Sequence, residues 1–262
     1  MANRRRFLAA AGVGLASAPA LDPARGADGA TDGRDLYELR QYRLADERQR
    51  TGLDAFLREA AIPALGRLGI APVGVFSPEP GPGPVYVLLR HRAMESVVGA
   101  THRLLADAEF LHRGAAFLDA PADRPAFERI ESSLLLAFKG MPALETPVKG
   151  PGRVFQLRTY ESPSVKTGRK KIEMFDDAGE IAIFRRVGLH PVFFGEALVG
   201  AKLPNLTYML GFESAEELKE NWQKFRDDAE WKRLSGMPEY ADKAILSGIT
   251  NVILRPAEYS QV

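Results

Sequence analysis

Cysteine is absent from the 262 residues, which excludes disulfides, thiol nucleophiles and thiolate metal sites in whatever compartment the protein works. Histidine is scarce: His91, His102, His112 and His190 are the whole supply. None stands four residues from another, the spacing that sets two ligands on one helix face, so no metal site is expected. An excess of one charge is missing too. With 35 basic and 34 acidic residues the net charge is +1, which argues against a nucleic-acid footprint. Lys166 to Lys171 is a short basic tract that reads as a loop leading into a helix. No nucleophile elbow, phosphate loop or dinucleotide fingerprint occurs. Gly81-Pro82-Gly83 sits among prolines, whose missing amides could not cradle a phosphate.

What remains is a globular composition, 45% hydrophobic and 26% charged, in a chain long enough for two domains that each bury a core. The N-terminus reads as an address. Arg4-Arg5-Arg6-Phe7-Leu8 precedes the small apolar run Ala9 to Ala20, the layout of an export signal, and it resembles the twin-arginine pattern. Export to the periplasm or beyond is therefore expected, with cleavage after Ala20. The run is too short to span about 30 Å of hydrocarbon, so no stable membrane span is expected. Residues 1–34 are read as signal and disordered leader, Leu21 to Arg34 being Ala, Gly, Asp and Pro in the main.

The rest of the chain reads as one plan written twice. Leu36-Tyr37-Glu38-Leu39-Arg40-Gln41-Tyr42 has a near copy in Val154-Phe155-Gln156-Leu157-Arg158-Thr159-Tyr160. Both alternate as strands do, so one sheet face takes Tyr37 and Leu39, or Phe155 and Leu157. The other takes Glu38, Arg40 and Tyr42, or Gln156, Arg158 and Tyr160. In the first copy, residues 35–138, a helix follows that Pro63 should kink or end and Gly69 should stop. Strands at Val73 to Phe76 and Val85 to Leu89, a helix from Met94 to Phe110 and a strand at Leu134 to Phe138 complete it. Residues 139–152, rich in Pro and Gly, form the linker. The second copy, 153–256, repeats the order: a helix from about Arg169 to Val187 ended by Gly188, strands at Val192 to Gly195 and Thr207 to Phe212, and a capping box at Ser214 to Glu217 opening a helix. That helix ends in Asp228-Ala229-Glu230-Trp231, matching Asp107-Ala108-Glu109-Phe110, and a strand at Ile249 to Leu254 follows. Strand, helix, strand, strand, helix, strand is the ferredoxin-like βαββαβ order, so the expected fold is α+β, two tandem ferredoxin-like domains.

The second copy resembles a NIPSNAP-type domain of the dimeric α/β-barrel superfamily, through Phe155 to Tyr160, Gly188-x-x-Pro191, and Phe212-x-Ser214 leading to Asp228 to Trp231. The first copy is a weaker match in the same order. The resemblance implies a pairing of sheets face to face, here within one chain as an intramolecular barrel. It implies no settled reaction and no catalytic set.

On that expectation the space between the sheets receives Arg40, Tyr42, Arg158 and Tyr160, with Glu196 and Glu38 as available partners. Buried guanidinium groups need acceptors. One reading makes the arginines structural ion pairs and the tyrosines core aromatics; the other makes the four a site for a small, anionic or aromatic ligand. His190, at a helix-to-strand turn, is either an ordinary loop histidine, a general base or an axial haem ligand. Trp222 and Trp231 fit the buried stripe of their helix. The leading functional reading is an exported small-molecule binder without cofactor, compatible with a homo-oligomer. Its rival is an enzyme like the cofactor-independent monooxygenases or haem-handling proteins that share the barrel.

Overall fold

A computed structural model describes residues 31–262 apart from Pro80 and Pro82. The expected signal, its cleavage site and the leader up to residue 30 lie outside the described residues. Among those described, eight strands close into a single antiparallel barrel in the order β1-β3-β2-β8-β5-β7-β6-β4. These are β1 Leu36–Arg43, β2 Val73–Pro78, β3 Val85–His91, β4 Arg129–Ala137, β5 Val154–Glu161, β6 His190–Val199, β7 Asn205–Phe212 and β8 Gly248–Pro256. The protein is thus a mixed α/β barrel with its helices outside. Within each half the neighbours run β4-β1-β3-β2 and β8-β5-β7-β6, and two seams join the halves: β2 with β8, Phe76 opposite Pro256, and β4 with β6, Leu135 opposite Ala197.

Strand alternation decides what fills the barrel. Its interior takes Tyr37 and Leu39 of β1, Phe76 of β2, Leu88 of β3 and Leu135 of β4. From the second half come Phe155 and Leu157 of β5, Phe193 of β6, Met209 of β7 and Leu254 of β8. Aromatic pairs cross between the halves, Phe76 with Phe155 and Tyr37 with Phe193, both at 4.9 Å between ring centroids. The 139–152 segment does not run free: Val148 is buried against this interior, and Leu144 packs beside it.

Two further apolar layers lie outside, between each half's strands and its helices. In the first half these helices are α1 Glu47–Phe56, α2 Ile62–Arg67, α3 Met94–Leu105 and α4 Ala108–Leu118. In the second they are α5 Val165–Asp176, α6 Glu180–Arg186, α7 Ala215–Asp227, α8 Ala229–Ser235 and the short α9 Asp242–Ile245.

Local chemistry corrects several expected boundaries. Pro63 does not end its helix. A π-helical turn, Leu57–Ala61, precedes it and carries the Ile62 amide to the Leu57 carbonyl, one residue further back than in an α-helix. That wider turn lets the chain run on through a proline that lacks a donor and would otherwise crowd the preceding turn. The two Asp-Ala-Glu-aromatic motifs begin helices rather than end them. Asp107 accepts from the Phe110 amide and Asp228 from those of Glu230 and Trp231, so each caps a new helix. Arg67 anchors Asp107 at 2.6 Å and Arg186 anchors Asp228 at 2.9 Å. The 169–187 segment likewise divides into α5 and α6 around Gly179. Ser214 caps α7 through the Glu217 amide, but Glu217 turns to the Glu213 amide, leaving the expected capping box half made. Gly69 and Gly188 do stop their helices, at φ of 75° and 82° where a Cβ would be strained.

Because Phe155 packs at the centre of an interior shared by both halves, Phe155→Ala is expected to cost about 3–5 kcal/mol of unfolding free energy in urea melts. The loss should appear in one cooperative transition, since the cavity opens between the halves.

Candidate functional site

The strand faces divide as the alternation requires, yet the expected orientation is reversed. Arg40, Tyr42, Arg158 and Tyr160 do not enter the space between the sheets. That space belongs to the more apolar face, whose buried Thr207 bonds to Thr159 at 2.9 Å, and the Arg-Tyr row points outward beneath the helices, where Tyr42 and Tyr160 join the two outer layers. A closed interior without room for solvated groups selects the face that needs fewer hydrogen-bond partners.

In the first half the arginine of this row is satisfied internally. Arg40 donates from Nε to Glu38 Oε1 at 2.7 Å and from Nη2 to Oε2 at 2.9 Å, a two-point fork. Ser132 Oγ donates to the same carboxylate at 3.0 Å. Fully buried His91 places Nδ1 2.9 Å from Ser96 Oγ and Nε2 3.6 Å from Glu38 Oε2. Desolvation would raise the Glu38 carboxyl, but contacts from His91 and Arg40 outweigh it and hold the group at about 2. The His91 contact is too long for a full hydrogen bond, so the Arg40 fork carries most of that lowering. Tyr42 is a core aromatic, edge-on to Phe127 at 6.1 Å.

In the second half the same strand positions are arranged differently. Gln156 replaces the acid, and its amide is already committed: Trp222 Nε1 donates to its Oε1 at 2.6 Å, and its Nε2 donates to Asn251 Oδ1 at 2.8 Å. Arg158, half-buried, therefore has no carboxylate beside it. Its guanidinium lies 4.7 Å from the Trp222 ring and 5.3 Å from the Tyr160 ring, and its buried Nε has no hydrogen-bond partner among the described residues. In front of it opens a cleft of about 310 Å³ lined by Gln156, Arg158, Leu218, Lys219, Trp222 and Arg226. Three cations and no carboxylate line it.

Behind Arg158 lies a buried polar cluster. Tyr160 and Tyr208 share a hydrogen bond at 3.0 Å between hydroxyls. Burial pushes both phenols above their ordinary range, Tyr208 well above, so they stay protonated. The basic tract read as a loop starts α5 already at Val165, and Lys171, within the helix expected from about Arg169, is buried and donates to Glu180 Oε2 at 3.3 Å, with its Nζ 5.4 Å from the Tyr160 ring. Burial raises the Glu180 carboxyl, and the Lys171 charge opposes that rise.

Of the residues singled out from sequence for this space, only Arg158 and Tyr160 come together here. Arg40 and Tyr42 form the counterpart place in the other half. Glu196 pairs instead with Arg169, at 2.8 Å, and His190 stands at the start of β6 with Nε2 3.5 Å from Glu217 Oε1, outside the cleft. Trp222 had read as core, and it does pack edge-on against Phe184 and Phe225; half-buried, it also forms a cleft wall. The readable signal was Lys219, Trp222 and Arg226 at i, i+3 and i+7, one face of α7. No group of three or more His, Asp or Glu residues placed to hold a metal occurs among the described residues, and none of their helices is long and apolar enough to cross a membrane.

The half that carries this cleft is the half with a sequence relationship. Residues 155–261 match the NIPSNAP family model. The NIPSNAP match thus takes in β5 to β8, the Trp222 helix and every cleft residue. No curated protein matches the sequence. Solved structures similar to the whole barrel include a candidate monooxygenase from Lactobacillus acidophilus, 9% identical, with TM-score 0.57 over 85% of this chain and 94% of that one. Another, from Fusobacterium nucleatum, is 7% identical with TM-score 0.56 over 86% and 93%. An anthrone oxidase-like protein is 13% identical with TM-score 0.51 over 87% and 93%. At these identities the likeness establishes the barrel fold alone.

The Glu38–Arg40 fork predicts an acid-sensitive contribution to stability. With the folded carboxyl at about 2 against an ordinary 4.5, its stabilisation is complete above the ordinary value and is lost as pH falls toward 2. Glu38→Gln should cost about 2–3 kcal/mol at neutral pH and flatten that acid limb in urea melts across pH.

Proposed function

We propose that the protein binds a small organic anion with a flat apolar body in the Arg158–Trp222 cleft of its NIPSNAP-matching half. The observation that carries this is the unpaired Arg158. Its counterpart Arg40 is clasped by Glu38, whereas Arg158 keeps a buried nitrogen without an acceptor beside an open cleft. A cation left in that state costs stability, and an arriving anion removes the cost. Trp222 and Leu218 supply the apolar wall, and Lys219 and Arg226 draw an anion toward the mouth.

Within this reading the chain is two tandem ferredoxin-like units that share one barrel, supported by the matching strand orders and the paired Arg67–Asp107 and Arg186–Asp228 anchors. The ligand lies under the helices of the second unit rather than between the sheets. Arg4 and Arg5 address the protein for export as a folded unit. The rival monooxygenase reading rests on likeness of fold. The protonated phenols behind Arg158 suit donation of hydrogen bonds better than abstraction of protons, which favours binding.

Titration with 2-naphthoate and with 1-naphthyl phosphate, monitored by isothermal titration calorimetry, tests the proposal. At least one should bind saturably, and Arg158→Gln should weaken it by about 30-fold or more. Equal affinity in wild type and variant, or no binding of either, would refute it.

A further inference from the structure

We infer that the anion taken by Arg158 is a carboxylate, and that residue 156 decides whether this place in the sheet is filled from within the chain or from outside. The inference rests on the binding proposal above and adds the ligand's class to it. Its basis is that the protein contains the same place twice. Arg40 sits on a strand flanked by β3 and β4, opposite Val87 and Ser132; Arg158 sits on a strand flanked by β7 and β8, opposite Tyr208 and Asn251. Two residues before each arginine, on the same face, stand Glu38 and Gln156.

In the first half the answer to the arginine is visible. A planar carboxylate meets the Nε and Nη2 edge with one oxygen on each nitrogen, the in-plane geometry that matches a guanidinium fork. In the second half the residue at that position is neutral and held away by Trp222 and Asn251. The Nε of that same edge is the buried atom left without a partner. Trp222 lies across the guanidinium at 4.7 Å, which favours in-plane approach over approach onto the ring-covered face. An external acid entering the cleft thus takes the role that Glu38 plays in the other half, with its apolar body against Leu218 and Trp222. A phosphate would share the charge but not the planar two-oxygen shape.

Gln156→Glu tests this by rebuilding the internal acid of the first half. The new carboxylate cannot donate to Asn251 Oδ1 as the amide does, which frees it from that partner and leaves the Trp222 indole and the Arg158 edge as its donors. Wild type should bind 2-naphthoate at least about tenfold more tightly than 1-naphthyl phosphate. Gln156→Glu should lose about 30-fold or more in naphthoate affinity while unfolding at an equal or higher urea concentration. Preference for the phosphate would overturn the carboxylate assignment and leave anion binding standing. Undiminished naphthoate affinity in Gln156→Glu would overturn the role of residue 156. Binding of neither probe would remove the anion site itself. Should Gln156→Glu fail to fold, the wild-type preference between the two probes decides the ligand class alone.

Discussion

Closure of the sheet is the constraint from which the rest follows. Eight strands joined edge to edge enclose an interior narrow enough that one set of alternating side chains fills it. The middle of each strand's inward set is thereby committed to an apolar centre, with Phe76, Phe155, Tyr37 and Phe193 meeting across the halves. The mid-strand charged residues Glu38, Arg40 and Arg158 are left the outer face. There, helices bury them only partly, and each must find a partner on a neighbouring strand, on a helix or in a ligand.

The two halves answer that demand differently. In the first, Glu38 clasps Arg40 and accepts from Ser132, so the charged fork is satisfied within one strand. In the second, replacing the acid by Gln156 dismantles the fork. The amide supports Trp222 instead, and the indole becomes both a lid over the guanidinium and a wall of the cleft. An inventory of buried charges would predict the second arrangement to be the less stable. Leaving one cation unanswered is the kind of local cost that binding sites carry.

Much of the architecture was legible because it follows from period and punctuation. The alternation of Tyr37 and Leu39 against Glu38 and Arg40, the copied segment at Phe155 to Tyr160, and the stops at Gly69 and Gly188 each have a local physical cause. The barrel's inward face was not legible. Both faces of these strands carry apolar residues, and periodicity says which residues share a face without saying which face looks inward. Asp107 and Asp228 misled for a related reason: a capping side chain at a helix junction reads the same whether a helix is ending or another is beginning. Arg158 and Tyr160 were found from the repeat, while Trp222 was assigned to packing because an indole on an apolar stripe usually is packing. Its cleft-facing role depends on Lys219 and Arg226 sharing its side of α7, and on the Gln156 carbonyl within reach of the ring nitrogen. The burial of Lys171 was not legible because nothing in its neighbourhood named Glu180 as a partner across the turn to α6.

The central claim is that Arg158 serves a ligand more than the fold, its ring contacts not outweighing its unanswered buried nitrogen, whereas Arg40 is structural. Unfolding free energies of Arg158→Met and Arg40→Met, measured side by side without ligand, test it most directly. The account predicts that Arg40→Met loses about 3 kcal/mol by stranding Glu38, while Arg158→Met is neutral or more stable than wild type. An Arg158→Met protein destabilised as much as Arg40→Met would contradict it.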